Sequence, residues 1–471
     1  MDRQTALNEK TRRMTTDPVE GLICRMAIPT IAIMMISALY NMADTYFVGR
    51  LGTSATAAVG VSFALMGIIQ AMGFFFGQGA GNYISRQMGA GDFADAARMA
   101  ATGFFASLVA GAVIAALGHW YLPEVAVFLG STETILPHAK EYLYYILLAA
   151  PWMTASLALN TMLRYQGSAL YGMVGMLTGA VVNIILDPIL IFGFDMGVAG
   201  ASLATMCSQM LGFGLLLAGC YRKGNIPVRL RNLSVRMADV RFIAVTGFPS
   251  LCRQGLASIA AVSLNQMAGS FGDAAIAAMS IVQRVGMFGM SALLGWGQGF
   301  QPVCGFNYGA RRYDRVRRAF WFCVKSSSLV LLLLAVAGFV FSAEIITLFR
   351  GDDPEVVRIG SLALRFQAVM FPFMGWVTLN NMMMQSVNRP GRATVMALAR
   401  QGLFLLPILF LLTPRLGILG IQLAQPLADV ATLALSIPLG IGVLRELDDP
   451  VDPVAPAGFG GGTVPDVVDD M

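Results

Sequence analysis

The sequence carries little charge for its length. Of its 471 residues, 13% are Asp, Glu, Lys or Arg, whereas soluble domains contain about 25%. This deficit excludes a soluble globule of ordinary design. Hydrophobic runs recur along the chain at close to the length that a helix needs to cross a bilayer, which is about 20 residues. The sequence therefore predicts a polytopic membrane protein.

Motifs of common enzymes and cofactor sites are also missing. The sequence contains no GxxxxGK[ST] phosphate loop, no HExxH zinc helix and no GxSxG nucleophile turn. Its six cysteines are scattered without a CxxC pair or a Cys/His cluster. We therefore expect no enzymatic activity and no cofactor. The net charge of +5 resides mostly in short loops, so we expect no nucleic-acid partner.

The hydrophobic runs predict an all-α integral membrane protein with twelve transmembrane helices. The predicted helices span residues 22–48, 55–83, 94–117, 134–157, 170–192, 198–221, 240–268, 274–304, 316–341, 355–384, 393–412 and 418–444. Residues 1–21 are polar and are interpreted as a cytoplasmic tail. Residues 447–471 are rich in Pro, Gly and Asp, and we expect them to be disordered.

The chain repeats itself at an offset of 220 residues without a gap. The matching positions are Pro29 and Pro249, Gly77-Gln78-Gly79 and Gly297-Gln298-Gly299, Gly89 and Gly309, Asn160 and Asn380, and Gly197-Val198-Ala199-Gly200 and Gly417-Ile418-Leu419-Gly420. Such a repeat predicts two homologous halves. Each half contains six predicted helices, and an even number returns the chain to the same side. The halves are therefore parallel repeats, an N-lobe of residues 22–221 and a C-lobe of residues 240–446.

The distribution of Lys and Arg predicts the orientation, because these residues favour cytoplasmic loops. The connection of residues 222–239 between the lobes is basic, and so is the loop between the eighth and ninth helices, with Arg311, Arg312 and Arg315. Both termini are therefore expected in the cytoplasm, with the chain in the plasma (inner) membrane.

Two carboxylates fall inside predicted helices of the first half. Asp44 follows Tyr40 by four residues and Asp187 follows Asn183 by four, so each pair shares a helix face. An ionisable residue in a transmembrane helix indicates a functional site, and these oxygen-bearing groups suit a proton or a hard cation such as Na⁺. The alternative is that each acid is a helix-end residue hydrated at the outer interface.

The repeat provides an internal control for this interpretation. Asp44 aligns with Leu264, and Asp187 aligns with Pro407. The second half keeps the scaffold without acids at the matching positions, which predicts that ion coupling belongs to the first half. Pro29 interrupts the first helix and is a candidate hinge, with a static bend as the alternative. Gln254 is a candidate to line the cavity of the C-lobe.

Several of these residues fall in motifs that resemble those of MATE (multidrug and toxic compound extrusion) transporters. The motifs are Pro29 followed by Tyr40-x-x-x-Asp44 and Phe47-Val48-Gly49-x-x-Gly52, and Asn183-x-x-x-Asp187-Pro188 continuing to Gly197-Val198-Ala199-Gly200-Ala201-Ser202-Leu203-Ala204-Thr205. The resemblance extends over residues 22–444. It implies two six-helix lobes that form a V-shaped cleft.

The resemblance also implies export of small amphipathic, often cationic compounds in exchange for H⁺ or Na⁺, by a protein that works as a monomer among membrane lipids. The positions that match the ion-coupling site of the family are Tyr40, Asp44, Asn183, Asp187 and Thr205, and four of them (Asp44, Asn183, Asp187 and Thr205) are possible Na⁺ ligands. Met34 and Asn160 match positions that face substrate in some members. Another branch uses acids in the seventh and tenth helices, where this chain has Gln254 and Asn380-Asn381, which favours coupling in the N-lobe.

One alternative function is a flippase for lipid-linked precursors, since related proteins share twin bundles and a central cavity. Basic residues often line such cavities, and the predicted helices of the second half contain or adjoin Arg253, Arg284, Arg365 and Arg400. Arginines that are salt-bridged or that face lipid would count against this function.

Overall fold

The structure is a computed structural model that describes residues 2–350 and 353–448, without the side chains of residues 38–45, 53 and 350. Within these ranges it contains helices and no β-strand. The α-helices are α1 Arg3–Thr16, α2 Val19–Gly49, α3 Thr53–Ala90, α4 Phe93–Trp120, α5 Leu122–Phe128, α6 Leu136–Tyr165, α7 Ala169–Pro188, α8 Gly197–Cys220, α9 Met237–Gly269, α10 Asp273–Gly309, α11 Tyr313–Val340, α12 Ser342–Arg350, α13 Pro354–Ser386, α14 Pro390–Leu398, α15 Leu406–Leu416 and α16 Ile418–Asp448. Most of the tail that we expected to be disordered, residues 449–471, lies outside the described residues.

The described chain confirms the prediction of twelve long helices in two repeats. The first half comprises α2, α3, α4, α6, α7 and α8, and the second comprises α9, α10, α11, α13, α14 joined to α15, and α16. Eleven of these spans in the described ranges are long and apolar enough to cross a membrane. The remaining span, α9, contains Arg253, Gln254 and Asn265, which lower its mean hydropathy. The short helices α5 and α12 begin 220 residues apart and were not predicted.

The hydrophobic core divides in a way that shapes the molecule. Among the described residues, one cluster of buried side chains draws on both halves, from Leu7 to Leu447. A second cluster contains first-half residues alone, from Val48 to Ala201. The third contains second-half residues alone, from Ala260 to Ala428. The halves therefore share a core at one end, here termed the closed end, and separate at the other, which gives the V-shaped cleft that we predicted.

The first long helix of each half packs on the second helix of the other half. Helix α2 lies along α10, and α9 lies along α3. Glycines permit these contacts, because a β-carbon at Gly299 would lie 2.6 Å from the Cα of Ala27, and one at Gly247 would overlap the carbonyl oxygen of Phe75. The hydroxyl of Thr246 donates to the carbonyl of Gly79 at 3.0 Å. The lobes are thus joined by exchanged helix pairs.

Helices α3 and α10 cross near the pseudo-twofold axis that relates the two repeats. A β-carbon at Gly309 would overlap the carbonyl oxygen of Arg86, and one at Gly89 would overlap the carbonyl oxygen of Phe306. These two contacts are related by the 220-residue offset. Between them, Gly305 faces Ser85, its own counterpart in the repeat. Backbone therefore meets backbone at the closed end, and only glycine fits at both positions.

Helix α1 lies in the segment that we interpreted as a polar tail, and the sequence analysis missed it. Asp2 caps its N-terminus by accepting from the backbone N–H of Thr5 at 2.7 Å, which is a common helix-start signal. Leu7 and Met14 lie two turns apart, and both are buried in the shared core.

Helix α1 also bonds to both halves. Its Lys10 ammonium donates to Ser168 at 2.7 Å and to Asn225 at 2.6 Å on the first-half side. Its last carbonyls accept from the second half, with Asn307 donating to Met14 at 3.1 Å and Arg312 donating to Thr15 at 2.9 Å. The cationic Arg312 suits the negative end of the helix dipole. Helix α1 therefore connects the two halves at the closed end.

The glycine crossing makes the closed end sensitive to a single added methyl group. We expect Gly309→Ala to destabilise the protein by about 1–3 kcal/mol, the usual cost of overpacking, because its β-carbon meets the backbone of α3. Gly67→Ala is the matched control, since no atom lies within 4 Å of a β-carbon there. Thermal unfolding of the purified protein in detergent measures both. Equal stability of the two variants would contradict the crossing.

Lys10 makes the docking of α1 depend on pH. Burial lowers the pKa of the Lys10 ammonium from 10.5 to about 7, because desolvation disfavours its charged form. Between about pH 7 and 10.5 the undocked lysine keeps its proton, whereas the docked lysine loses it. Docking therefore strengthens as pH rises from about 7 toward 10.5. Below about pH 7 both forms are protonated, and docking is independent of pH. We therefore expect the stability of the wild type relative to Lys10→Met to rise with pH over this interval. The exposed Lys140→Met is the control, and it should show no such trend in melting temperature.

Candidate functional site

Small residues bring α7 and α8 close together in the first half. A β-carbon at Gly179 would lie 3.1 Å from the carbonyl oxygen of Ser208, and one at Gly212 would lie 3.3 Å from that of Gly175. Small residues at such spacings let two membrane helices approach closely. This approach brings Thr205 of α8 into hydrogen-bond contact with Asn183 of α7.

Asn183, Asp187 and Thr205 form one buried polar cluster. Their exposed fractions are 1%, 0% and 0%. One orientation of the Asn183 amide gives both its nitrogen and its oxygen a hydrogen-bond partner. In it, the nitrogen donates to Asp187 Oδ2 at 3.2 Å, and the oxygen accepts from the Thr205 hydroxyl at 3.3 Å. The backbone N–H of Thr205 also donates to that oxygen, at 3.2 Å. The structure thus brings together three of the predicted site residues.

The cluster is placed where α7 ends and α8 begins. Pro188 follows Asp187, and the chain continues as a π-helical turn, Ile189–Gly193. Gly197 then adopts a φ of 56°, a left-handed conformation that favours glycine. A β-carbon at Gly200 would lie 2.8 Å from the carbonyl oxygen of Leu190. The two glycines of the repeated GxxG motif therefore turn the chain and seat α8 against the end of α7.

This arrangement favours binding of a small cation. A carboxylate removed from water is costly as an anion, and a proton or a metal cation offsets that cost. Amide and hydroxyl oxygens are ligands that hard cations bind. Among the described residues, no group of three or more His, Cys, Asp or Glu side chains is assembled. The described neighbours of Asp187 in the cluster, Asn183 and Thr205, offer neutral oxygens.

The other two residues of the predicted coupling site lie on α2. Helix α2 packs along α7, but the side chains of Tyr40 and Asp44 lie outside the described residues. Pro29 is buried, and α2 continues as a helix through it. On the N-terminal side of Pro29, Ile23 belongs to the shared core. On its C-terminal side, Val48 belongs to the core of the first half alone. The candidate hinge therefore lies between the two regions.

The predicted substrate residues are dispersed over three helices. Met34 is partly buried on α2, and Gln254 is partly buried on α9. These two positions are 220 residues apart and so correspond in the repeat. Asn160 on α6 is 8% exposed, and a β-carbon at Gly172 of α7 would overlap its side-chain oxygen. The structure does not join these three residues to the Asp187 cluster.

A family model described as MatE matches residues 29–189 and 249–411. The two matches cover more than half of the chain, and they begin 220 residues apart, as the repeat does. The chain belongs to the MatE family. This membership confirms the resemblance on which the sequence analysis relied.

Two relatives of this MatE-family chain have the name multidrug export protein MepA. The protein from Staphylococcus haemolyticus (strain JCSC1435) is 26% identical over 413 residues, which are 87% of this chain and 91% of the relative. The one from Staphylococcus aureus (strain MSSA476) is 26% identical over 431 residues, or 91% and 95% of the two chains.

Solved structures share the fold. A crystal structure of MATE in the bent conformation has a TM-score of 0.87 at 24% identity, covering 94% of this chain and 98% of that one. The outward-facing conformation of a multidrug resistance MATE family transporter has a TM-score of 0.86 at 24% identity, covering 93% and 98%.

A further buried acid of this MatE-family chain was not predicted and lies in the second half. Asp429 of α16 is 1% exposed. Its Oδ1 accepts from Arg400 Nε at 2.8 Å and from Gln425 Nε2 at 2.9 Å. Arg400 lies in a π-helical segment, Ala399–Leu405, between α14 and α15. Only the counterparts of Asp44 and Asp187 were considered in the second half, so Asp429 was overlooked. It nevertheless lies inside a predicted helix, four residues after the polar Gln425.

The Arg400–Asp429 pair should act as a structural unit. Asp429→Asn leaves the Arg400 guanidinium uncompensated in a poorly hydrated place, and we expect a loss of about 3 kcal/mol. The double variant Arg400→Met, Asp429→Leu should lose less stability than the sum of the losses of Arg400→Met and Asp429→Leu made singly, because it leaves no buried charge without its partner. The exposed pair Arg358–Glu355 is the control, and Glu355→Gln should cost at most about 1 kcal/mol. Denaturant unfolding in detergent measures this cycle, and additive losses would refute the coupling.

Proposed function

We propose that the chain is a secondary active transporter that exports amphipathic, often cationic compounds in exchange for H⁺ or Na⁺. The observation that carries the proposal is the buried cluster of Asp187, Asn183 and Thr205 between α7 and α8 of the first half. The names of the MepA relatives, which refer to multidrug export, support the substrate class. The proposal assigns the chain transport and no catalysis, and the functional unit is a monomer.

The proposed coupling site is Asp187 with Asn183, Thr205, Tyr40 and Asp44. A proton or Na⁺ that neutralises the acids removes a charge from the interior of the N-lobe, where an uncompensated charge is costly. Because α2 packs along α7, the resulting change in packing reaches the helix that carries Pro29. In this proposal α2 bends at Pro29, which narrows the cavity near Met34 and Asn160 and releases the substrate. Coupling needs only that the ion binds the two conformations with different affinity.

In the proposed orientation both termini and the basic connection between the lobes are cytoplasmic. The closed end, where α1 and α16 meet the shared core, then faces the cytoplasm, and the cleft opens outward. Alternating access requires the contacts of the closed end to separate and those of the open end to form. Gln254 would then line the C-lobe side of the cavity.

The flippase alternative loses part of its support. Arg400 is ion-paired with Asp429 at 2.8 Å. Arg365 is exposed, donates to the Ser342 hydroxyl at 2.8 Å and lies over the Phe339 ring. Two of the four arginines that suggested a basic cavity are therefore engaged within the second half.

Transport in inside-out vesicles tests the proposal. We expect a fluorescent cation such as ethidium to accumulate when a pH or a Na⁺ gradient is imposed, and clamping the two gradients separately identifies the ion. Asp187→Asn should reduce gradient-driven transport to the background of empty vesicles, because an amide neither binds a proton nor carries a charge for Na⁺. Asp195→Asn, in an exposed turn beyond the same helix, is the matched control and should transport normally. Full gradient-driven transport by Asp187→Asn would disprove the assignment.

A further inference from the structure

Two arginines lie between the lobes and form no ion pair with an acid in the described part of the chain. Arg164, at the end of α6, is 3% exposed. Its Nη1 donates to Gln298 of α10, but its Nε and Nη2 are buried and make no hydrogen bond with any described residue. Arg253 of α9 lies near enough for its charge to repel that of Arg164. Its Nε is likewise buried and unpartnered within the described chain.

The repeat shows that this arrangement is particular to one side of the cleft. Gln78 and Gln298 are counterparts in the two GQG motifs, and they accept from consecutive residues of α6: Tyr165 donates to Gln78, and Arg164 donates to Gln298. The counterparts of Arg164 and Tyr165 are Met384 and Gln385. The bond between Arg164 and Gln298 therefore crosses from the first half to the second, and pseudosymmetry does not require it.

The arginines sit at the base of the cleft. Leu163, beside Arg164, and Phe300, close to Gln298, both belong to the core that the halves share. The Nε of Arg253 is buried, but the rest of its side chain stays partly accessible. Arg253 adjoins Gln254, the residue that we predicted to line the cavity. Arg164 thus lies against the core that the halves share, and Arg253 keeps an accessible surface.

Burial of guanidinium donors that have no hydrogen-bond partner is costly, and arginine does not relieve the cost by losing its proton. An oxyanion would relieve it. A guanidinium presents planar N–H donors that match the two oxygens of a carboxylate or phosphate. The donors left over here are Nε and Nη2 of Arg164, which point along one edge of its guanidinium, and Nε of Arg253.

We propose that Arg164 and Arg253 form an anion-binding site at the base of the cleft, which takes the carboxylate or phosphate of an amphipathic compound. This inference rests on the proposed function and deepens it, because the substrate class then includes zwitterionic and anionic amphiphiles besides cations. The same oxyanion chemistry is available from the phosphate of a membrane lipid. The buried Asp187 cluster and this basic site would serve opposite charges.

Equilibrium binding of a matched probe pair tests the site. Tetramethylrhodamine carries a free carboxylate, and its methyl ester lacks one but keeps the cationic ring system. We measure the affinity of both for purified protein in an uncharged detergent by fluorescence polarisation, without any ion gradient. Loss of a charge-assisted hydrogen bond should lower the affinity for the carboxylate relative to the ester by about tenfold or more. Arg253→Gln and Arg164→Gln should each lower the preference for the carboxylate, with ester binding kept.

The exposed Arg358→Gln is the control and should keep the wild-type ratio. Arg164→Lys retains the charge and should recover part of the preference lost in Arg164→Gln. Replacing Arg253 by Gln removes a charge whose Nε has no described partner, so Arg253→Gln should not lower the melting temperature. This variant therefore still tests the site if an Arg164 variant fails to fold. A ratio of affinities that is unchanged in folded Arg253→Gln and Arg164→Gln would overturn the proposal.

Nanodiscs separate the two sources of the anion. If phosphatidylglycerol discs abolish the arginine-dependent preference that phosphatidylcholine discs retain, the phosphate of an anionic lipid occupies the site. If the preference persists in both, the site takes the carboxylate of the solute. Asp187→Asn should retain the preference in either case, so failure of the ion-coupling assignment and failure of the anion site give different results.

Discussion

The structure depends on one contact in which two helices meet without side chains between them. At the crossing of α3 and α10, Gly309 faces the carbonyl oxygen of Arg86, and Gly89 faces that of Phe306. This approach holds the two bundles together at one end and fixes the angle from which they diverge. The shared core and the exchanged helix pairs surround this crossing. A close-packed contact of this kind separates as a unit rather than gradually, which suits the alternating access that we propose.

The scaffold is symmetric, but the chemistry is not. The first half buries Asp187 beside the neutral Asn183, whereas the second half buries Asp429 against the cation Arg400. Gln425, which bonds Asp429, occupies the position that corresponds to Thr205. Both halves therefore place a polar residue and a buried acid in related regions. Because Arg400 already compensates the charge of Asp429, that acid has little to gain from a further cation.

The sequence was sufficient for the parts of the fold that depend on periodicity and repetition. Runs of apolar residues predicted the twelve long helices, and the 220-residue offset predicted the two bundles. The spacing of Asn183 and Asp187 placed both on one helix face, and the family motif added Thr205. Helix α1 was missed because its two core residues, Leu7 and Met14, are sparse among polar ones, and only tertiary packing stabilises such a helix.

The roles of the arginines were less accessible from sequence, for a physical reason. Arg164, Arg253 and Arg400 all lie in or near hydrophobic helices. Arg400 is ion-paired, whereas the other two keep buried N–H groups that bond to no described residue. Which of these occurs depends on side chains from helices distant in the chain, such as Gln298 and Asp429. A single sequence does not contain those pairings. The same holds for Lys10, whose partners Ser168 and Asn225 are far from it in sequence.

Helix α1 has a consequence for the biogenesis of the protein. It is synthesised first, but Asn307 and Arg312, which bind its final carbonyls, follow nearly 300 residues later. At about 5–20 residues per second, the ribosome reaches them tens of seconds afterwards. During that interval α1 has only its first-half contacts, and Met14 lacks the second-half part of the core that buries it. The docking of α1 thus reports that the second bundle has been inserted and has met the first.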